Sequence, residues 1–375
     1  MVRLPPGIHP LTDLDAAWSV SSGGPRLRAV RLAAERLRDR FAAGPRALAV
    51  RTLPIVRSPY PTRYAFFGAA LSPAPFVLFV HRCVVVQFLQ EGELKTLLFN
   101  PTDVPGARST PYFARLAARI PERLQKVLAP EFDPLPAQLA TLGLRPEDVD
   151  YVAYDHLHVQ DLRPILGTED GRITARFPNA TLLAPKVEWD DWDDLHPLQR
   201  AWYVRDGKLG ANASRVVLTG ADLALGDGVM LLRTPGHTSG NQTLFINTDT
   251  GVWGISENGT CADNWSPMDS AIPGLRALCR RQDLDLVLNA NTIERGADQY
   301  TSMVLERAIV DRVKRAPAFV QMFPSSEVTP SALSPGLKPT ILHRAITHGQ
   351  VSPPAARAAS RATAGGRTAT AAAER

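Results

Sequence analysis

The chain holds eight histidines, and two of them stand two residues apart where a strand ends, in Tyr154-Asp155-His156-Leu157-His158. A His-x-His pair leaving a strand can turn both imidazoles to one ion, and neutral imidazole suits zinc and other borderline divalent metals. A third histidine strengthens the pattern. The run Leu232-Arg233-Thr234-Pro235-Gly236-His237-Thr238-Ser239-Gly240 ends a strand and turns tightly, with glycines on both sides of His237. Such a corner presents one imidazole from a rigid turn. His156, His158 and His237 make the ligand set of an open catalytic site, with three protein ligands and one position for water. Glu257, in Ser256-Glu257-Asn258-Gly259 after a pair of strands, can bind an ion directly or bridge to a second.

The run Leu142 to His158, led by Gly143-Leu144-Arg145-Pro146-Glu147-Asp148-Val149-Asp150, resembles the first metal motif of the metallo-β-lactamase-fold hydrolases. Thr234-Pro235-Gly236-His237-Thr238-Ser239-Gly240 is similar to their second histidine motif, and the lactonase-like branch is the nearest likeness. The resemblance covers roughly Val50 to Arg315 and implies an α/β fold, a four-layer αββα sandwich with the metal site at one edge of the sheets. It implies a hydrolase that activates water on a metal to open an ester, lactone or related small-molecule bond.

The departures from the pattern bear on the number of ions. Where the family reads His-x-His-x-Asp-His, this chain reads His156-Leu157-His158-Val159-Gln160-Asp161. Glu257 stands at the usual bridging aspartate, Asn291 near the family's last histidine, and Asn241 follows the second motif. The three histidines for a first ion are present, and the positions for a second are altered. In one reading a single ion sits on His156, His158 and His237, and Asp161 or Glu257 accepts the proton of its water. In another, Asp161 and Glu257 hold a second, harder ion such as manganese or magnesium, helped by oxygen from Gln160 or Asn291. In a third, hydrolysis is lost and the fold serves as a binding or scaffold protein. The first is the expectation, with one divalent metal, zinc by ligand type.

These residues need strands to carry them. Phe76–Val80, Cys83–Leu89 and Lys95–Phe99 are short β-rich runs, with a hairpin loop at Glu91-Gly92-Glu93. Strands are also expected at Val149–Tyr154, Thr181–Ala184, Val216–Leu218, Val229–Leu232, Thr243–Asn247, Gly251–Ile255 and Leu284–Leu288. Helices are expected at Arg26–Ala43, Tyr112–Leu128, Pro136–Leu142, Gly274–Arg281 and Ser302–Arg315. Two β-rich halves, each followed by helices, point to two stacked sheets covered by helices. The predicted organisation is an N-terminal extension with an arginine-rich amphipathic helix over 1–48, the αββα domain over 49–345, and a disordered Ala/Arg-rich tail over 346–375.

The formal net charge is +5. Its excess lies in the arginine helix and the tail around an acidic middle, which argues against a nucleic-acid surface. The most apolar stretch, Phe76–Leu89, is too short for a membrane span and is broken by His81-Arg82. The N-terminus lacks the apolar core of a signal peptide, so a cytoplasmic location is expected. The three cysteines are too scattered for a disulfide framework. The expected partner is a small-molecule substrate, without nucleic acid or membrane, and homo-oligomers stay open. Asp155 can hydrogen-bond a histidine but is expected to support its loop; Cys261 can reach the metal but is expected to be a buried small residue; His9, His81, His196, His343 and His348 are expected to be surface or core histidines. Trp189, Trp192 and Trp202 either rim an apolar pocket or pack inward.

Overall fold

A computed structural model of the chain describes residues 4–353. Within them, two sheets stack face to face. The six-stranded sheet runs His9–Leu11, Asp222–Gly226, Val229–Arg233, Gln242–Thr248, Gly251–Ser256 and Met322–Pro324. The eight-stranded sheet runs Thr347–Gly349, Ala49–Pro61, Phe76–Gln90, Glu93–Phe99, Tyr151–Ala153, Thr181–Pro185 and Val216–Thr219, with Ser326–Thr329 pairing on Phe76–Gln90. From Glu93–Phe99 to Val216–Thr219 the pairing is parallel.

The two-residue period of the strands sorts the core into layers. Val84, Val86, Phe99 and Ala153 face the other sheet and meet Leu231, Leu244 and Ile246. The alternate residues Met230, Leu232 and Phe245 face outward, under Val30, Ala34 and Leu37 of helix Gly23–Ala43 and Met303 and Leu305 of helix Gly296–Ile309. On the opposite side Cys83, Val85, Leu98 and Val152 are covered by Leu135, Leu139 and Ile165, from helices Leu135–Thr141 and Arg163–Leu166. The layers are therefore helix, sheet, sheet, helix, the αββα sandwich implied by the motifs. Each fully buried valine or leucine adds about 1.5–3 kcal/mol to this packing.

Several elements differ from the sequence-based expectations. The runs Phe76–Val80 and Cys83–Leu89 form one strand, because Arg82 is neutralised within it: Arg82 Nη2 lies 3.3 Å from the buried carboxylate of Glu327. The expected helix Tyr112–Leu128 splits into Pro111–Ala117 and Glu122–Leu128, since Pro121 interrupts it and starts the second piece. Leu284–Leu288 joins no sheet; Val287 donates instead to the Asn264 carbonyl at 2.9 Å. The last long helix runs Gly296–Ile309 and stops before Asp311, whose backbone N–H and carbonyl bond Val252 and Gln321 at the sheet edge. The segment expected as an N-terminal extension supplies an edge strand and a covering helix. At the other end, Thr347–Gly349 pairs with Ala49–Pro61 and Ser352 donates to Gln87 Oε1 at 2.8 Å, so the expected tail is ordered to residue 353, and 354–375 lie outside the described residues. Among the described residues no helix is long and apolar enough to cross a membrane.

The Arg82–Glu327 pair yields the first prediction. The Glu327 carboxylate also accepts from the backbone of His343 at 2.7 Å and Arg344 at 3.2 Å. Arg82→Met strips this buried group of its counter-charge, and a loss of about 3–5 kcal/mol is expected in urea unfolding. A loss under 1 kcal/mol, the range of an exposed pair, would contradict that account.

Candidate metal centre

The three histidines come from different sheets. Tyr151–Ala153 of the eight-stranded sheet delivers His156 and His158, and Val229–Arg233 of the six-stranded sheet delivers His237. Gln242 joins the two loops, donating from its backbone to the Asp155 carbonyl at 2.7 Å and from Nε2 to the Tyr154 carbonyl at 2.7 Å. Gly236 has φ of 143°, and a Cβ there would sit 2.2 Å from the Gln299 backbone. Only glycine allows helix Gly296–Ile309 to press this close beside His237. On the other loop Val159 is held at φ 59°, a costly conformation for a β-branched residue. Its backbone N–H is anchored on the Trp202 carbonyl at 2.8 Å.

The three rings converge. Their centroids lie 4.7 Å apart for His156 and His158, 4.6 Å for His156 and His237, and 5.0 Å for His158 and His237. One ring nitrogen from each falls within 4.8 Å of the other two, and all three residues are buried. The far nitrogens set the tautomers of the first two. His156 Nδ1 donates to Asp155 Oδ1 at 2.7 Å, and His158 Nε2 donates to Gln199 Oε1. His156 Nε2 and His158 Nδ1 are thereby left as lone-pair donors. His237 Nδ1 is buried, and the Asn289 backbone lies beside this ring.

Electrostatics favour neutral rings at two of the three positions. Burial pulls His158 and His237 well below the ordinary histidine range, and a charge on His156 pushes further the same way. Burial also opposes charge on His156, but the Asp155 carboxylate outweighs it and raises this ring. Imidazoles already neutral need lose no proton to bind a metal.

Two polar side chains tie the motifs together. The buried Glu188 carboxylate accepts from the Leu157 backbone at 2.6 Å, Tyr203 Oη at 2.6 Å and Thr238 Oγ1 at 2.8 Å. It thus holds the residue between the first two histidines and the residue after the third. Gln199 does the same by another route, contacting the His158 ring and donating to the His237 carbonyl at 3.1 Å. Neither residue has a sequence signal, because each works only once distant segments meet.

A cavity of about 250 Å³ opens onto the histidines. Much of its lining is apolar, from Val104, Ala107, Phe113, Leu116, Ile120 and Leu128. Glu257 lines the cavity beside the imidazoles and is pushed up to about 8, chiefly by burial and secondarily by repulsion from Asp155. Asp161 is not brought there. Arg163 grips it with Nε at 2.9 Å and Nη2 at 2.7 Å, and it does not line the cavity. Of the two readings of Asp155, the structure shows the histidine-orienting one, through the bond to His156 Nδ1. His81 lines the cavity rather than lying apart from it. Of the tryptophans, Trp202 borders the cavity, Trp192 is core, and Trp189 is partly buried against that core. Cys261 is fully buried, as expected.

The chain matches no family model. It is similar to the N-acyl homoserine lactonase AttM of Rhizobium radiobacter, 26% identical over 198 residues, spanning 48% of this chain and 67% of that protein. Among solved structures, a quorum-quenching N-acyl homoserine lactone lactonase aligns with a TM-score of 0.42 and 19% identity, covering 64% of this chain and 90% of that one. The hydrolase AbOPH of the β-lactamase superfamily aligns at 0.41 and 16%, covering 81% and 97%.

Proposed function

We propose that this two-sheet αββα sandwich is a metallo-β-lactamase-fold, metal-dependent hydrolase of small molecules. The observation that carries this reading is the convergence of three buried imidazoles on the floor of a largely apolar cavity. His156, His158 and His237 would hold one divalent ion, and an all-imidazole set suits zinc. A bound ion supplies Lewis acidity, making water a usable nucleophile near neutral pH.

The chain's own residues do the rest. Asp155 and Gln199 orient His156 and His158, and Glu188 fixes the spacing of the two loops. Glu257 is the carboxyl placed to take and return a proton at the reacting bond; Arg163 withholds Asp161 from that role. The apolar wall from Val104 to Leu128 receives the hydrocarbon part of a substrate and excludes water from it. The bond is an ester or lactone, a reading supported by likeness to the lactonase AttM.

Hydrolysis of a panel of alkanoyl lactones and aryl esters by protein loaded with zinc tests this directly. Turnover that disappears with chelation and returns with zinc is expected. A folded protein that holds zinc yet cleaves none of them would favour a binding role instead. Asp155→Ala should lower zinc affinity about 10–100-fold, as for other partners that orient a metal-bound histidine. An unchanged dissociation constant would show that Asp155 only supports its loop.

A further inference from the structure

The departures from the two-ion pattern acquire a physical form in the cavity wall. Gln160, at the motif's aspartate position, is 2% exposed and donates from Nε2 to Thr102 Oγ1 at 3.0 Å. His81 bridges the same Thr102 Oγ1, at 2.9 Å from Nε2, and Ser326 Oγ, at 3.1 Å from Nδ1. All four side chains line the cavity that the three histidines also line. Both carboxylates that could have served a second ion beside Glu257 are already committed. Asp161 is held by the Arg163 guanidinium, and Asp155 accepts from His156 through one oxygen and from Ser325 through the other. Two amide oxygens remain: Gln160 Oε1 and Asn291 Oδ1 are buried without partners, and both residues line the cavity. A divalent ion gives up tightly held water on binding, and amide oxygens with one carboxylate compensate poorly for that loss.

We infer that this chain takes up a single ion, and that the place of a second is closed by a hydrogen-bonded cluster of His81, Thr102, Gln160 and Ser326. The inference rests on the metal-dependent reading above. It assigns the free amide oxygens of Gln160 and Asn291 to the polar end of the substrate, where they accept hydrogen bonds from N–H or O–H groups. A substrate that carries a donor near the scissile bond is therefore the fitting class.

Counting metal decides the matter without an activity measurement. Full-length protein, stripped by chelation and checked for fold by circular dichroism, is loaded with excess zinc or manganese, desalted and analysed by mass spectrometry. One equivalent of zinc is expected in the wild type and in Asp161→Asn, with no second equivalent of either ion. Two equivalents in the wild type, of one ion or of both together, would overturn the inference. So would loss of an equivalent in folded Asp161→Asn, which would make that carboxylate a ligand. Folded wild type that retains no metal at all sinks the hydrolase reading itself, a result distinct from two.

Discussion

Replacing His237 by alanine is expected to abolish stoichiometric metal retention, and hydrolysis with it, while the chain stays folded. The side chain is one of three ligands, and two imidazoles on one loop make a poor substitute for a set that spans both sheets. Its removal costs at most a weak contact with the Asn289 backbone. The loop is held through its backbone instead: the His237 carbonyl accepts from Thr292 Oγ1 at 2.6 Å and Gln199 Nε2 at 3.1 Å. Linkage gives the measurement. An ion at about one hundred times its dissociation constant stabilises the folded state by about 2.7 kcal/mol. Zinc should therefore raise the melting temperature of the wild type and leave that of His237→Ala unmoved. If the variant kept one tight equivalent and its activity, the three-histidine site would be wrong.

Glu188→Ala should act through architecture and be as damaging. It deprives three donors of their acceptor, the Leu157 amide and the Tyr203 and Thr238 hydroxyls, in a region closed to water. Each unsatisfied buried donor costs about 1–3 kcal/mol. Burial of the carboxylate is itself unfavourable and raises its pKa, so part of that loss is regained. A net loss of about 4 kcal/mol is expected in denaturant unfolding, with metal affinity falling as the two loops part. Glu188→Gln separates geometry from charge. Its amide oxygen still accepts from Leu157 and Tyr203, and the Thr238 hydroxyl can rotate to accept from the new N–H. Recovery of metal binding by the glutamine variant is the expected result. Equal failure of both variants would mean that the charge matters more than the tether.

The histidines were legible because a metal motif is compressed in sequence. His156 and His158 share one turn, and His237 carries its own glycine corner. The uninterrupted apolar runs at Cys83–Val86 and Val229–Leu232 marked buried strands just as locally, because a strand covered on both faces is apolar at every position. Glu188, Gln199 and His81 were not legible. An isolated glutamate or glutamine has the same local pattern whether it meets water or a buried loop, and only the docking of distant segments distinguishes the two. The element boundaries failed where tertiary bonds outweighed periodicity. Residues 284–288 have the apolar run of a strand, yet Val287 spends its N–H on the Asn264 carbonyl. Val310 and Asp311 extend an apolar helical pattern, yet the sheet edge claims Asp311. Asp161 was misread for a simpler reason: Arg163, two residues on, can reach a carboxylate as easily as an ion can.

The division of the ligands between two sheets has a kinetic meaning. His158 and His237 are far apart along the chain, and the loop between them must close before a third imidazole arrives. A half-folded chain with only one sheet formed could offer an ion two histidines or one, but never three. Tight uptake of metal should therefore coincide with the late step in which the sheets dock, and not with the formation of either sheet alone. Once in place, the ion would act as a rivet across the sandwich. It would slow the separation of the sheets, and so the unfolding of the whole chain, more than it would speed their meeting.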